Sequence, residues 1–373
     1  MRVGLNLVYL VPGETGGMET YARELIPALA RMSPGIELVA FVNREAAAGT
    51  PGPWHEHCEL VPVPVNPRRR FEWVKGEQVD LPRLARRSGV DLVHSLASTA
   101  PLWGRFRRVT TIHDLIYRHE SSAHFGLNAF GMRGLVPLAA RRSDRVIAVS
   151  EATGRDVATH LPVDRARVDV VPNGVRMPDR RQPGEAEGLR AQLGAADRPL
   201  ILSPSAKRPH KNLARLLESL ASLPSPRPLL VLPGYPTPHE SELRGRAREL
   251  DVEGDVQFEG WLDEERMEQL YTAADLVVLP SLHEGFGLPV LEAMVRGIPV
   301  ACSSGGALSE VAGDAAITFD PRQHDDIACA ILQVLNNSDL AASLRAAGRK
   351  RAAEFSWDRT AGLTVASYER ALA

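Results

Sequence analysis

Three places in this 373-residue chain gather side chains able to do chemistry. The first is His283-Glu284-Gly285-Phe286-Gly287-Leu288-Pro289-Val290-Leu291-Glu292, which follows the apolar run Leu276–Leu279 and opens a helical pattern reaching about Arg296. A buried strand, a turn with two glycines and a helix that begins at Pro289 make an anion site. The N–H groups of Gly287 and Leu288 point out along the positive end of the helix dipole. Glu284 and Glu292 flank that site at a spacing of eight residues. A carboxylate beside a phosphate cradle repels phosphate and is better used accepting hydrogen bonds from sugar hydroxyls. The stretch therefore suits a ligand that carries both phosphate and sugar. The second place is Ser205-Ala206-Lys207-Arg208-Pro209-His210-Lys211-Asn212, three cations ahead of a helix from about Leu213 to Leu223. Lysine supplies a point charge and arginine a fork, so this is a phosphate clamp; the plain alternative is a solvated basic loop. The third is His113-Asp114, which closes the strand-like Val109-Thr110-Thr111-Ile112. Ligands of α/β sheets collect beyond the carboxyl ends of strands, although a histidine there is often structural.

Alternating strands and helices must position these groups. In the first half the strands are Val3 to Val11, Leu38 to Val42, a strand end at Asp91 to His94, Val109 to Ile112, Asp144 to Val149 and Val168 to Val171. Ser150 reads as the cap of the next helix, with Glu151 in its first turn. Pro12 to Gly17 leads into a helix over 18–32, where Gly16-Gly17 lets the backbone approach a ligand closely, the plain alternative being a tight turn. Residues 49–70 hold many prolines and Arg68-Arg69-Arg70 and read as a surface excursion. The second half repeats the plan with Leu200 to Ser203, Leu229 to Leu232, an edge strand Val256 to Phe258, Leu276 to Leu279 and Val300 to Ser303.

Composition bounds the rest. The length suits two domains and the apolar and charged fractions are those of an ordinary globular chain. A formal net charge of -2 gives no reason to expect nucleic acid. Residues 1–180 carry 24 Lys and Arg against 19 Asp and Glu, so the acidic excess lies behind them. Arg68, Arg69, Arg70, Arg105, Arg107 and Arg108 raise the expectation of an anionic acceptor or a peripheral contact with an anionic membrane, the alternative being a solvated surface. Cys58, Cys302 and Cys329 are odd in number and lack metal spacing, which fits free thiols in a reducing compartment. Neither a membrane span nor the build of a signal peptide is visible, so a cytoplasmic location is expected, with the membrane's inner face as its extension.

Glu-Gly-Phe-Gly-Leu-Pro-x-Leu-Glu resembles the E-x7-E signature of retaining glycosyltransferases of the GT-B fold, glycosyltransferase family 4. The likeness covers nearly the whole chain and is weakest at 45–90 and 115–140. It implies an α/β protein of two Rossmann-like domains facing an interdomain cleft: residues 1–175, a linker at 176–198, residues 199–356, and a last helix at 357–373 that packs back on the first domain. By this resemblance Glu284 binds a hydroxyl of the donor sugar, Glu292 binds the ribose, and Gly285, Phe286, Gly287 and Leu288 form the turn beside them. Pro-His-Lys-Asn-Leu resembles the segment whose Lys, here Lys211, grips the pyrophosphate; its partner cation is Lys207 or Arg208. Thr-Ile-His-Asp-Leu-Ile-Tyr resembles the segment whose His, here His113, meets the donor sugar. Gly16-Gly17 faces the donor and Trp261-Leu262 lies near the base, where Trp261 either stacks or packs. The implied reaction moves a sugar with retention from a nucleoside diphosphate donor to a hydroxyl of a glycan, a lipid-linked saccharide or a small molecule. The two motifs look most like users of GDP-mannose. The nucleotide sugar is a co-substrate and no cofactor is implied. No Asp-x-Asp closes a strand and the basic clamp can do a metal's work, so no metal is expected. The rivals are a transferase using UDP- or another nucleotide sugar, an epimerase on the same fold, and a non-catalytic sugar-binding protein.

Overall fold

The chain is described here by a computed structural model covering residues 1–49, 52–119, 127–178 and 185–373. It divides into two compact units, Met1–Gly174 with Phe355–Ala373, and Val175–Glu354. Part of the expected linker, 179–184, lies outside the described residues. The helix Glu185–Gln192 belongs to the second unit.

The first unit is built on β1 (Arg2–Leu7), β2 (Glu37–Val42), β3 (Glu59–Pro62), β4 (Leu92–Ser95), β5 (Arg107–Ile112), β6 (Arg145–Ala148) and β7 (Val168–Val170). They form one parallel sheet in the order β3-β2-β1-β4-β5-β6-β7, with Leu5 of β1 opposite Ala40 on one side and His94 on the other. Strands covered by helices on both faces read as continuous apolar runs, and β1 and β2 are buried along nearly their whole length. Two expectations are corrected here. β1 stops at Leu7, not Val11, and the chain then turns at Val8-Tyr9. Residues 49–70 are not a bare excursion: they hold a helix, Pro53–His57, whose Trp54 is fully buried, and the edge strand β3. An edge strand tolerates proline because one side of its ladder has no partner, and prolines there disguise a strand as a loop.

The C-terminal helix Trp357–Leu372 packs on the helix Gly17–Met32 and on the back of this sheet, burying Trp357 and Tyr368 beside Tyr21 and Leu25. Gly174 permits that return. A Cβ there would stand 2.2 Å from the backbone nitrogen of Trp357.

The second unit carries β8 (Leu200–Leu202), β9 (Leu229–Leu232), β10 (Val256–Phe258), β11 (Leu276–Leu279), β12 (Val300–Ser303) and β13 (Ile317–Phe319). The order β10-β9-β8-β11-β12-β13 is again wholly parallel. In each sheet the order reverses once, between β1 and β4 and between β8 and β11. Loops leave in opposite directions at such a reversal, which opens a crevice at the carboxyl ends of the two strands.

Candidate functional site

The crevice of the second unit is filled by the two motifs. After β8 the chain runs through Lys207 and Arg208 into a short 3₁₀ turn, Pro209–Lys211, and then the helix Leu213–Ala221. Asn212 joins the two in the left-handed region, with φ 57°. Its side-chain amide donates to the carbonyls of Pro280 at 3.1 Å and Pro321 at 2.7 Å, tying together the loops that follow β8, β11 and β13. The N–H of Leu282 closes the same junction on the His210 carbonyl at 2.8 Å.

After β11, Gly287 is the cap of the helix Leu288–Val295, at φ 102°. A Cβ there would meet the Leu308 side chain at 2.6 Å, so conformation and space both call for glycine. Pro289 is the second helical residue rather than the first, and the Val290 N–H turns back to the Gly287 carbonyl. Leu288 thus presents the first N–H of the helix.

Lys211 and Glu284 meet directly. Nζ stands 2.5 Å from Oε1, in a pair only 20% and 15% exposed. The Ser281 hydroxyl donates to the same oxygen at 2.7 Å. Burial alone would raise the Glu284 carboxyl, but Lys211, backed by Ser281 and His210, holds it below its ordinary value. It is an anion at neutral pH. Two of the three Lys211 donors remain for a ligand. About one turn into the helix, Glu292 accepts the Tyr271 hydroxyl at 2.7 Å through Oε2. Burial, then the neighbouring carboxylate, pushes the Tyr271 phenol well up, so it stays a donor. Arg296 lies over the Tyr271 ring at 4.6 Å and pairs with Glu268, which steadies the phenol from behind.

In the first unit His113 follows β5. Its Nε2 lies 2.8 Å from the Leu96 carbonyl, so that nitrogen carries the proton and Nδ1 is the acceptor. Burial lowers the imidazole below its ordinary value, against the opposing pull of Leu96 and Asp114. A neutral His113 therefore accepts, rather than donates, a hydrogen bond through Nδ1. The Tyr21 ring meets it edge-on at 5.0 Å. Gly16 caps the helix Gly17–Met32 at φ 63°, and nothing stands within 4 Å of where a Cβ on Gly16 or Gly17 would be.

Two family models match. Glycosyltransferase Family 4 covers residues 15–177 and Glycosyl transferases group 1 covers 186–351. The chain is 34% identical over 192 residues to O-antigen chain mannosyltransferase B of Escherichia coli, a match spanning 51% of this chain and about half, 50%, of that protein. It is 30% identical to D-inositol 3-phosphate glycosyltransferase of Mycolicibacterium paratuberculosis over 100% of this chain and 90% of that one. The chain belongs to the group 1, family 4 glycosyltransferases. Among solved structures, Anabaena HepE in complex with UDP and glucose superposes with a TM-score of 0.77, at 21% identity over 99% of both chains. Its two parallel sheets make this family 4 chain a GT-B protein.

Within this family 4 site, the predicted residues fall into three groups. Lys211, Glu284, Gly285, Gly287, Leu288 and Glu292 share the crevice between β8 and β11. The Phe286 side chain is 5% exposed and packs inward, which leaves only its backbone to face a ligand. Burial distinguishes the two candidate cations. Lys207 has no exposed surface, and its Nζ donates to the carbonyls of Gly234 at 2.8 Å and Glu259 at 2.5 Å, with Glu240 at 3.6 Å. A donor contact through Lys207 does not fit this placement; it braces the loops after β8, β9 and β10. Arg208 is exposed; its backbone bonds to Ala206 and Lys211, and its side chain has no partner among the described residues. Trp261 follows the edge strand β10 and is 56% exposed, with Leu262 half-buried beside it, so Trp261 is not core packing.

The basic surface is largely spent internally. Arg68 pairs with Glu14 and Glu45, Arg69 with Glu72 and Arg107 with Asp144, while Arg108 donates to three backbone carbonyls. Ser150 accepts the Thr153 N–H as the cap expected of it. Asp114 caps its own loop through the Ile116 N–H at 3.0 Å. Sequence reasoning missed Asn212, Tyr271 and Ser281 as supports. Ser281 is three residues from Glu284 and could have been found; Tyr271 reaches Glu292 only through the packing of two helices. No cluster of three or more metal-ligating side chains stands among the described residues.

Proposed function

We propose that this chain is a retaining glycosyltransferase that moves a hexose, mannose from GDP-mannose in the preferred form, onto an acceptor hydroxyl without a metal ion. The observation that carries the reading is the Lys211–Glu284 pair beside the Gly287-capped helix, a cation, an anion and the Leu288 N–H of a helix start within one crevice. In this reading Lys211, Arg208 and the Leu288 N–H take the diphosphate, and their positive charge favours its departure. Glu284 accepts a hydroxyl of the donor sugar and Glu292, held by Tyr271, accepts ribose hydroxyls. His113 accepts a further sugar hydroxyl through Nδ1. With no side chain placed as a nucleophile, the leaving phosphate takes the acceptor proton on the same face of the sugar. The E. coli relative's name supports mannose. The Anabaena neighbour, solved with UDP and glucose, supports a second donor of the UDP-glucose type.

The test is a thermal-shift screen with GDP, UDP, ADP and dTDP, followed by NMR of the product's anomeric configuration with the donor so found. A shift confined to GDP, and an α-linked product from GDP-mannose, are expected. Stabilisation by none of the four sinks the reading, and an inverted product sinks its stereochemistry.

A further inference from the structure

A series of buried polar side chains lies beneath His113 in the first unit. His94 on β4, Thr111 on β5, Tyr21 of the helix Gly17–Met32, and Thr364 and Tyr368 of the helix Trp357–Leu372 have no exposed surface, and Thr360 is buried beside them. Their polar atoms meet one after another. The Tyr368 hydroxyl lies 2.7 Å from His94 Nδ1, and His94 Nε2 lies 2.8 Å from the Thr111 hydroxyl. The Thr111 hydroxyl lies 3.2 Å from that of Tyr21, which also bonds Thr364. Thr364 donates to the Thr360 carbonyl at 2.7 Å, and Thr360 donates to the Pro172 carbonyl at 2.7 Å.

The direction of each proton follows from the end of the series. A hydroxyl has one hydrogen to give. That of Thr364 goes to a carbonyl, so Thr364 can only accept from Tyr21. With the Tyr21 hydrogen spent there, Thr111 donates to Tyr21 and accepts from His94 Nε2–H. Burial pushes the His94 imidazole down to about 3, so it is neutral and has one donor and one acceptor nitrogen. Nδ1 is then the acceptor, and Tyr368, whose phenol burial keeps protonated, donates to it. The opposite order would set two lone pairs face to face between Tyr21 and Thr364. It would also leave the Tyr368 hydrogen without an acceptor among the described residues.

Strand geometry carries this order to His113. Successive side chains alternate, so Thr111 and His113 share one face of the sheet. Leu96 stands two residues beyond His94 in the same way. The bond from His113 Nε2 to the Leu96 carbonyl therefore repeats, one strand period further on, the bond from His94 Nε2 to Thr111. Tyr21, held at its hydroxyl by Thr111, sets its ring edge-on to the His113 imidazole at 5.0 Å, and Trp357 flanks the same ring at 5.9 Å. We propose that Tyr21 is a positioning residue of the transfer reaction: the series from Tyr368 through His94 and Thr111 fixes its ring, and the ring fixes the imidazole whose Nδ1 accepts the sugar hydroxyl. The inference rests on the transferase reading above and adds to it residues that touch neither donor nor acceptor.

Two experiments on the full chain test it. Long-range proton–nitrogen NMR of the ligand-free protein at neutral pH, with the His94 signals identified by their loss in His94→Gln, should show His94 as the Nε2–H tautomer alone. The other tautomer, or a mixture of the two, overturns the proton order. Steady-state kinetics, with circular dichroism as the fold control, then compare variants. Tyr21→Phe keeps the ring and removes its anchor, so kcat should fall about tenfold while the donor KM stays within about twofold. Thr111→Val should lower kcat roughly ten- to hundredfold, and Thr111→Ser, which restores the hydroxyl, should recover most of it. Wild-type kcat in Tyr21→Phe and Thr111→Val, or a Thr111→Ser as slow as Thr111→Val, overturns the positioning role. So does a rise in KM that matches the fall in kcat, since loosened structure alone would give it. His113→Ala separates this from the reading beneath it. If His113→Ala is slow and Tyr21→Phe is not, the sugar contact stands and the positioning role fails; if His113→Ala turns over normally, the sugar contact itself fails.

Discussion

Replacing Glu284 by Gln should move diphosphate affinity and turnover in opposite directions. In the ligand-free chain Glu284 neutralises Lys211 at 2.5 Å, with both side chains mostly buried. An incoming diphosphate is attracted by the lysine and repelled by the carboxylate. At an effective dielectric constant near 20, a unit charge roughly 6 Å from the phosphate contributes about 3 kcal/mol. The pair is partly exposed, and screening reduces that to roughly 1–2 kcal/mol. Glu284→Gln should therefore bind free GDP or UDP about five- to thirtyfold more tightly, while turnover of the sugar nucleotide falls on the order of 10²–10⁴-fold because an anionic contact to the sugar is lost. Lys211→Met should do the reverse to the diphosphate, weakening it by about 1.5–3 kcal/mol. It should also lower the melting temperature, since Glu284 loses its charged hydrogen-bond partner and keeps only Ser281 and the nearby His210. The double variant should recover the melting temperature but not the affinity. Calorimetry with both diphosphates, melting curves and steady-state kinetics read all of this. Unchanged or weaker diphosphate binding by Glu284→Gln would refute the reasoning, because Glu284 would then not be the counter-charge of a phosphate clamp.

Other outcomes follow from the same geometry. Glu292→Gln and Tyr271→Phe should chiefly raise the donor KM, the latter about three- to tenfold, because ribose contacts act alike in ground and transition states, whereas His113→Ala should chiefly lower kcat; kinetics showing the opposite split would reverse these roles. Lys207→Met should cost roughly 3–5 kcal/mol of stability by orphaning the groups around it, and Arg208→Ala should leave the melting temperature alone but weaken diphosphate binding; the converse pattern would mean the two cations have been exchanged. Burial pushes the His94 imidazole from 6.5 down to about 3. The folded form disfavours the proton, so this stability is complete above pH 6.5 and is lost as the pH falls towards 3. Between pH 6.5 and 5 the loss is roughly 1.5–2 kcal/mol by denaturant titration, and an unaltered slope in His94→Gln would contradict it. With Arg68, Arg69 and Arg107 paired to carboxylates of the chain itself, the protein should not float with anionic liposomes at physiological salt; retention there would assign the surface a membrane role.

What could be read in the sequence follows the distance along the chain over which each feature is assembled. Both halves of the donor crevice are contiguous strings, 205–212 and 283–292, each carried by one strand, one turn and one helix start. The charges these strings carry, and their resemblance to the family's motifs, are therefore what singled out Lys211, Glu284 and Glu292. Burial is what separates Lys207 from Arg208, and two adjacent cations look alike in a string. The strand β3 was hidden because its edge position admits the prolines that otherwise mark a loop. A cavity of about 250 Å³ in the first unit lies at the far end of this scale: its lining runs from residue 9 to residue 132, and no local pattern joins those residues. One parallel topology thus occurs twice with two chemistries at its reversal point. In the second unit the crevice holds a buried ion pair, and charge there has to be matched by a charged ligand. In the first, the acid Glu77 is buried and its oxygens are filled by the neutral donors of Asn6, Thr99 and Gln78. Glu77→Leu should lower the melting temperature by unpairing Asn6, Thr99 and Gln78, while diphosphate affinity, a property of the second unit, stays that of the wild type. A melting temperature equal to that of the wild type would refute the role of Glu77 as the brace between β1 and the loop after β4.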